Sequence, residues 1–128
     1  MKNFRFAVLA GAMGLAGLTT GALAEDVTIG LATAQTGGLA YADQPSLAGF
    51  KMAVDEINAA GGLGGKYKII LDIKDTRTDT AATVQAAQEL VAAGVKVMIT
   101  PCDADPSIAA GQISQPAQIP TLTFCGTT

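Results

Sequence analysis

The sequence contains no histidine and no tryptophan, and aromatic residues make up only 5% of its 128 positions. Histidine is the common general base near neutral pH and the commonest metal ligand in proteins. Its absence excludes a histidine-based catalytic triad, an imidazole general base and a histidine metal cluster. The sequence also has no nucleophile elbow and no other metal-ligand set. We therefore predict a protein that is not an enzyme and needs no cofactor and no metal.

Positive charge is also scarce. The chain has 8 basic and 11 acidic residues, and two of the basic ones, Lys2 and Arg5, lie at the amino terminus. Without these two, six basic residues stand against 11 acidic ones, and the net charge is about −5. Nucleic-acid phosphates and anionic membrane surfaces repel such a chain. The charge therefore argues against nucleic acid as a partner.

Cysteine is limited to two residues, Cys102 and Cys125. They are too far apart in the sequence for a zinc knuckle, and no other soft ligand accompanies them. In an oxidising compartment two cysteines can form a disulfide, whereas buried thiols behave as small apolar residues. The sequence alone leaves both interpretations open.

The amino terminus has the three parts of a secretory signal peptide. After the positive start, a charge-free apolar stretch runs from Phe6 to about Leu18, and Ala22-Leu23-Ala24 provides the small residues that a signal peptidase reads. The apolar stretch is shorter than the ~20 residues that a membrane span needs. We predict that residues 1–24 are a signal peptide cleaved after Ala24 and that residues 25–128 form the mature domain.

The residue after the cleavage site predicts where the protein goes. Glu25 rather than cysteine stands there, so we expect a mature protein without a lipid anchor. A free exported protein needs an outer membrane to retain it. The periplasm of a Gram-negative bacterium is therefore the predicted location.

The mature part alternates between strand and helix signals. Short apolar runs predict strands over residues 27–32, 67–73, 95–99 and 121–124. This alternation is typical of an α/β fold, an open parallel sheet with right-handed crossovers and helices on both faces. The chain ends at Thr128, in the loop after the fourth predicted strand. We expect it to be one part of a larger protein.

The helix predictions rest on apolar spacing and on end signals. The first helix is expected to begin near Pro45 and to end at Gly61-Gly62, after a loop over residues 33–44. Its apolar face consists of Leu47, Phe50, Val54 and Ile57. Asp79 is expected to cap the second helix and Gly94 to close it, with Val84, Ala87 and Val91 on the inner face. The third is expected to begin near Pro106 and to carry Ile108 and Ile113.

Ligands of open parallel sheets bind beyond the carboxyl ends of the strands. Candidate groups in those loops are the polar side chains and backbone N–H groups of Thr36, Asp103, Ser107, Thr127 and Thr128, together with the aromatic ring of Tyr41. Asp103 and Asp105 do not fit the calcium-loop pattern, and Asp105 before Pro106 is expected to cap the third helix. The Gly61–Gly65 run follows a helix and precedes a strand, which indicates a turn rather than a phosphate site.

Val27 to Thr128 resembles the amino-terminal lobe of periplasmic branched-chain amino acid binding proteins, the receptors of ABC importers. The clearest match is Ala48 to Lys66, which resembles the family run G…A…(D/E)-I-N-A-x-G-G-(I/L)-x-G. Asp75 at the end of the second strand and Ile119-Pro120 before the fourth are similar too. The resemblance implies a monomer of two lobes that closes on an amino acid or related solute and delivers it to a membrane permease.

The resemblance also implies roles for loop residues. In the family, hydroxyls and N–H groups after the third and fourth strands of this lobe hold the ligand's carboxylate. The matching positions here are Asp103 to Ser107 and Cys125 to Thr127. Tyr41 matches an aromatic residue beside the ligand.

Two positions depart from the family pattern. Leucine-type receptors usually have serine where this chain has Asp103, and a carboxylate there would repel the ligand's carboxylate. Either Ser107 and backbone N–H groups bind the ligand, or the ligand is not a simple amino acid. Arg77 stands near the position of the usual disulfide partner, so Cys102 would pair with Cys125 instead.

Two other functions stay open at this point. A sensory ligand-binding domain of the same fold would continue into a membrane span. An exported α/β enzyme is disfavoured by the missing catalytic residues, and turnover of an ester or phosphate substrate would support it.

Overall fold

Strands and helices alternate along the chain, as the apolar pattern predicts. The computed structural model describes residues 25–125. The elements are β1 (Glu25–Thr33), α1 (Ala40–Ala59), β2 (Tyr67–Asp75), α2 (Thr80–Ala92), β3 (Val97–Thr100), α3 (Ala104–Ser114) and β4 (Thr121–Thr123). The predicted signal peptide with its cleavage site at Ala24, and Thr127 and Thr128, lie outside the described residues.

The four strands form one parallel sheet in the order β2-β1-β3-β4. β1 pairs with β2 along its whole length, from Glu25 opposite Tyr67 to Thr33 opposite Asp75. The chain thus moves from β1 to one side of the sheet and then to the other side for β3 and β4. Connections between parallel strands are right-handed. A connection that runs to one side of the sheet therefore places its helix on one face, and a connection that runs to the other side places its helix on the opposite face.

Alternate residues of the strands face the two helical layers. Leu31 and Ile99 pack with Leu47 of α1 on one face of the sheet. Their neighbours Ala32 and Met98 pack on the other face, in a cluster with α2 and α3 that contains Ala86, Ala87, Leu90, Val95 and Ala110. This two-residue period is the strand period, and each face is covered by helix. The predicted fold class, an open parallel α/β sheet with helices on both faces, is confirmed.

The first helix begins earlier than predicted. α1 starts at Ala40, so Pro45 lies inside the helix and Tyr41 is a helix residue rather than a loop residue. Proline has no N–H, so the carbonyl of Tyr41 cannot receive its helical hydrogen bond. The extra turn is nevertheless held in place, because the side chain of Asp43 is anchored to two neighbouring loops.

The second helix ends in a Schellman motif, which also shortens β3. Gly94 has a φ of 73°, its N–H donates to Val91, and the N–H of Val95 donates to Leu90. Gly94 closes the helix as predicted, and because Val95 takes part in this cap, β3 begins at Val97 rather than at Val95. Asp79 caps α2 as predicted, accepting from the Ala82 N–H at 2.7 Å.

The inner face of α2 differs in part from the prediction. Ala87 is buried, but Val84 and Val91 are only half-buried. The buried residues of α2 are Ala82, Thr83, Ala86, Ala87 and Leu90. Most of these buried residues are small. The buried face of α2 therefore runs along the alanines and Leu90, and Val84 and Val91 lie at its border.

The third helix begins at Ala104, and the predicted cap is wrong. Asp103 occupies the N-cap position, and Asp105 lies exposed in the first turn. Pro106 is the third helical residue, and its missing N–H costs nothing there because the first N–H groups of a helix have no helical acceptor. Ile108 of this helix is 62% exposed. Among residues 25–125, no helix combines the length and the apolar character needed to cross a membrane.

Candidate ligand-binding site

The crevice at the carboxyl edge lies between β1 and β3. The chain goes from β1 to β2 on one side of this crevice and forms β3 and β4 on the other side. Loop 34–39 follows β1 and loop 101–103 follows β3, and both leave the sheet at its carboxyl edge. Open parallel sheets bind ligands at this switch point. The loops at this edge are therefore the candidate ligand-binding site.

Asp43 of α1 joins the two loops of the crevice. Its side chain is 1% exposed. Oδ2 accepts from the N–H of Ala34 at 2.7 Å, and Oδ1 accepts from the N–H of Cys102 at 2.8 Å. Buried polar groups are stable only when they are hydrogen-bonded, and here both carboxyl oxygens and both N–H groups find partners. Asp43 thus fixes the spacing between the loops after β1 and β3.

Asp75 fixes the same β1 loop from its other side. Oδ1 accepts from the N–H groups of Gln35 at 3.0 Å, Thr36 at 3.2 Å and Arg77 at 2.9 Å, and Oδ2 accepts from the Thr36 hydroxyl at 2.7 Å. Desolvation by burial tends to raise the pKa of Asp75, but these bonds, with the Thr36 hydroxyl first, outweigh it and hold that pKa below its ordinary value.

Loop 34–39 also packs tightly on the loop after β2. The Thr78 hydroxyl accepts from the Leu39 N–H at 3.0 Å and donates to the Thr36 carbonyl at 3.2 Å. Gly37 has a φ of 90° and lies against the carbonyl of Arg77. Arg77 and Thr78 themselves have φ of 54° and 57°. This contact is close enough to require glycine at position 37.

α3 and β4 both bind the carbonyl of Pro101, the first residue after β3. The Ser107 hydroxyl donates to it at 2.8 Å, and the Thr123 hydroxyl donates to it at 2.7 Å. The structure also brings Cys102 and Cys125 into contact through their sulfur atoms, with Cα atoms 4.8 Å apart. That Cα separation is within the range that a disulfide spans.

The predicted ligand-binding residues form two groups along the edge. Thr36 is exposed and bonded to Asp75, on the side towards β2, while Asp103, Ser107 and Cys125 are half-buried on the side towards β4. Tyr41 is 75% exposed at the start of α1. Asp43, which links the two groups, was missed because it fell in a predicted loop. Its signal was its spacing, four residues before Leu47, which continues the buried face of α1 backwards.

The site is an open edge rather than an enclosed pocket. Surface hollows of about 620 and 330 Å³ lie away from the crevice, along α3 and at the end of α2. A smaller one of about 280 Å³, between β2 and α2, is lined in part by Asp75 and Arg77 at the β2 end of the edge. Within residues 25–125, no group of three or more His, Cys, Asp or Glu side chains is arranged to hold a metal ion.

A family model described as periplasmic binding protein matches residues 26–128. The chain belongs to this family. Periplasmic binding proteins are solute-binding proteins of the periplasm or cell exterior, and the open parallel sheet with its edge of loops is the part of that architecture described here.

Curated relatives agree with the family. This periplasmic binding protein is 39% identical over 101 residues to the Leu/Ile/Val-binding protein homolog 8 of Brucella abortus, an alignment that covers 79% of this chain and 25% of the relative. It is 34% identical over 93 residues to the Leu/Ile/Val-binding protein of Escherichia coli, covering 73% and 25%. The chain thus spans about a quarter of the length of these relatives.

Solved structures show the same fold. The branched-chain amino acid transporter substrate binding protein LivJ from Streptococcus pneumoniae, in complex with isoleucine, superposes with a TM-score of 0.77 at 30% identity, over 81% of this chain and 30% of that one. An ABC transporter substrate-binding protein from Desulfitobacterium hafniense, in complex with Leu, gives 0.67 at 27% identity, over 81% and 30%.

Proposed function

We propose that this chain forms one ligand-binding lobe of a substrate-binding protein of an ABC importer. The protein captures a branched-chain amino acid or a related small organic solute in the periplasm and delivers it to the membrane permease. It works by recognition alone, as a monomer. The observation that carries the proposal is the crevice at the switch point, where Asp43 holds two loops together, in a chain similar to proteins solved with isoleucine and leucine.

The layout of the edge fits this role. A lobe that closes on a solute needs loops that are already ordered, because ordering them on binding would reduce affinity. Asp43 and Asp75 hold the loop after β1 from both sides. The exposed ring of Tyr41 beside this loop offers an apolar surface for a branched side chain.

Export is part of the same proposal. Residues 1–24 act as the signal peptide, and cleavage after Ala24 gives a mature protein that begins at Glu25. Amino-terminal sequencing of protein purified from the periplasm tests this directly. A mature chain that begins at Met1 would contradict it.

Solution binding tests the function itself. Full-length protein is titrated calorimetrically with leucine, isoleucine, valine and their amides, and uptake of the solute that binds is measured in cells that lack the gene. We expect saturable 1:1 binding and lost uptake. Failure of the whole panel to bind, or turnover of a substrate, would contradict the proposal, and a membrane span after the second lobe would favour a sensory role.

A further inference from the structure

The backbone of β2 is open along one side of the sheet. β2 is the first strand in the order β2-β1-β3-β4, so within residues 25–125 only β1 pairs with it along its length. The N–H of Thr76, directly after β2, donates to the carbonyl of Thr33 in β1 at 2.9 Å. Successive residues of a strand turn their N–H and C=O groups to opposite sides, so the odd-numbered residues of β2 face the open edge. These are Tyr67, Ile69, Leu71, Ile73 and Asp75.

The first two positions of this edge are already occupied from within the chain. Tyr67 exchanges backbone hydrogen bonds with Leu63, at 3.1 Å from its N–H and 2.7 Å to its carbonyl. The side-chain amide of Asn58, at the end of α1, does the same for Ile69. Its Nδ2 donates to the Ile69 carbonyl and its Oδ1 accepts from the Ile69 N–H, both at 2.8 Å. The amide of Asn58 thus takes the place of the peptide group of a neighbouring strand.

Asparagine is well suited to this position. A carboxamide has a donor and an acceptor side by side, whereas a carboxylate has acceptors only and a hydroxyl carries both on one oxygen. The turn after α1 completes the arrangement, because Gly62 has a φ of 87° and a Cβ there would collide with the carbonyl of Tyr67. Asn58 and Gly62 both lie in the run from Ala48 to Lys66, so one stretch of sequence closes this end of the edge.

The rest of the edge is short and charged. Leu71, Ile73 and Asp75 have no backbone hydrogen bond on this side within the described part of the chain. Asp72 and Lys74 alternate with them and form an ion pair at 3.2 Å. An open strand edge is a template for pairing with another chain, and charged side chains, lysine above all, discourage such pairing. The carboxyl half of this edge is thus protected by charge and the amino half by hydrogen bonds.

A strand that complements the unguarded edge is β2 of a second copy. An antiparallel pair centred on Ile70 would set Ile69 opposite Leu71 of the other copy and Lys68 opposite its Asp72, in both directions. Opposite charges and apolar side chains that face each other on neighbouring strands stabilise a sheet. Pairing in this register needs the N–H and C=O of Ile69, and both are already bonded to the side-chain amide.

We propose that Asn58 keeps this protein monomeric by closing the edge of β2 to the β2 strand of a second copy. The inference rests on the monomeric state in the proposed function and is independent of which solute binds. The side-chain amide substitutes for a further strand, and removing it opens the register centred on Ile70.

Asn58→Ala tests the role of the amide. Sedimentation of full-length protein over a wide range of concentration measures the oligomeric state. We expect wild type to remain monomeric and Asn58→Ala to form dimers whose fraction rises with concentration. A synthetic peptide of residues 67–75 is expected to bind Asn58→Ala about tenfold or more tighter than it binds wild type, because the two backbone groups of Ile69 become free to pair.

Other variants separate an open edge from a loss of stability. Asn58→Asp keeps an acceptor for the Ile69 N–H and adds a charge at the edge, so it should lose stability in urea but stay monomeric. Ser114→Ala removes a buried hydroxyl that is bonded to the Thr121 hydroxyl at the other side of the sheet, and it should also stay monomeric. Peptide N-methylated at Ile69 and Leu71 cannot donate in the proposed register and should bind none of these proteins.

Each result decides the proposal. Folded Asn58→Ala that stays monomeric, or that binds the peptide no more tightly than wild type does, overturns it. Equal association of Asn58→Ala and Ser114→Ala also overturns it, because lost stability would then be the cause. Dimeric wild type overturns both the proposal and the monomer of the proposed function. If Asn58→Ala does not fold, Asn58→Ser is measured in its place with the same expectations.

Solute binding is a separate readout. The same proteins are titrated with leucine, isoleucine and valine. Binding by the wild type leaves the solute-binding function standing even where Asn58→Ala stays monomeric. Failure of the wild type to bind contradicts that function without affecting the role of Asn58 at the edge.

Discussion

At the scale of single residues, the carboxyl edge depends on a few positions whose backbone conformation or hydrogen bonds are specific to the residue present. Gly37 adopts a φ of 90° against the carbonyl of Arg77, and Asp75 gathers three N–H groups and one hydroxyl. Both residues act on the loop that carries Thr36. The loop therefore has its conformation before any ligand arrives, which is what a preorganised binding site requires.

Gly37→Ala should destabilise the protein by about 1–3 kcal/mol. A Cβ at this position would contact the carbonyl of Arg77 and would lie 2.7 Å from the Thr78 hydroxyl, and φ is in the left-handed region. Urea unfolding measures the change. Gly38→Ala is the matched control, because a Cβ there has no neighbour within 4 Å among the described residues. Equal stability of the two variants would show that the contact between the β1 and β2 loops is loose.

Asp75 should give the protein a stability that is lost in acid. Its folded pKa is lowered below the unfolded value of ~3.9, so its contribution is complete above about pH 4 and disappears as pH falls through the folded pKa. Asp75→Asn should therefore lower the free energy of unfolding at pH 6, and the difference from wild type should shrink below pH 4. Asp55→Asn, an exposed change on α1, is the control. A difference that is constant from pH 3 to 7 would contradict this assignment.

At the scale of elements, the strands and the parallel α/β architecture could be predicted, because apolar runs and strand–helix alternation are local signals, whereas the order β2-β1-β3-β4 comes from the structure. The starts of α1 and α3 could not be predicted, because proline is common at the first helical position, whereas Pro45 and Pro106 lie inside their helices. Pro45 is tolerated inside α1, where Asp43 fixes the first turn through bonds to Ala34 and Cys102. The link between the β1 and β3 loops could not be predicted from local pattern, because its bond from Cys102 to Asp43 joins residues 59 apart in sequence.

Asp43→Asn tests whether α1 holds the crevice together. The amide has one acceptor oxygen where the carboxyl has two, so its NH2 group would face one of the two backbone N–H groups. We expect a loss of about 1–3 kcal/mol in the free energy of unfolding and faster amide exchange at Ala34 or Cys102. Asp55→Asn again serves as control. Unchanged protection of both amides would show that the loops hold their spacing without Asp43.

At the scale of the whole molecule, each pair of neighbouring strands is tied at its carboxyl end by a different device. Asp75 joins β2 to β1, Asp43 joins β1 to β3, and the Pro101 carbonyl with Cys102 and Cys125 joins β3 to β4. The connections run from one side of the described sheet to the other. The candidate ligand-binding edge is thus connected from β2 to β4 within the described residues.

The link between Cys102 and Cys125 differs from the hydrogen bonds, because a disulfide forms only in an oxidising compartment. We predict that exported protein contains the Cys102–Cys125 disulfide, because the periplasm is oxidising and the Cα atoms are 4.8 Å apart. The bond would close a loop with a sequence separation of 23 residues. A loop of this size corresponds to about 3 kcal/mol in the chain-entropy account of disulfides.

Mass spectrometry of alkylated periplasmic protein identifies the bond, and urea unfolding with and without reductant measures its effect. The Cys102→Ser, Cys125→Ser double variant should unfold at the lower urea concentration of the reduced wild type and should not respond to reductant. Because Cys102 also donates its N–H to Asp43, reduction should speed amide exchange at Cys102 itself as well as around β4. Two free thiols in exported protein would mean that hydrogen bonds alone, through the carbonyl of Pro101, hold β4 to the edge.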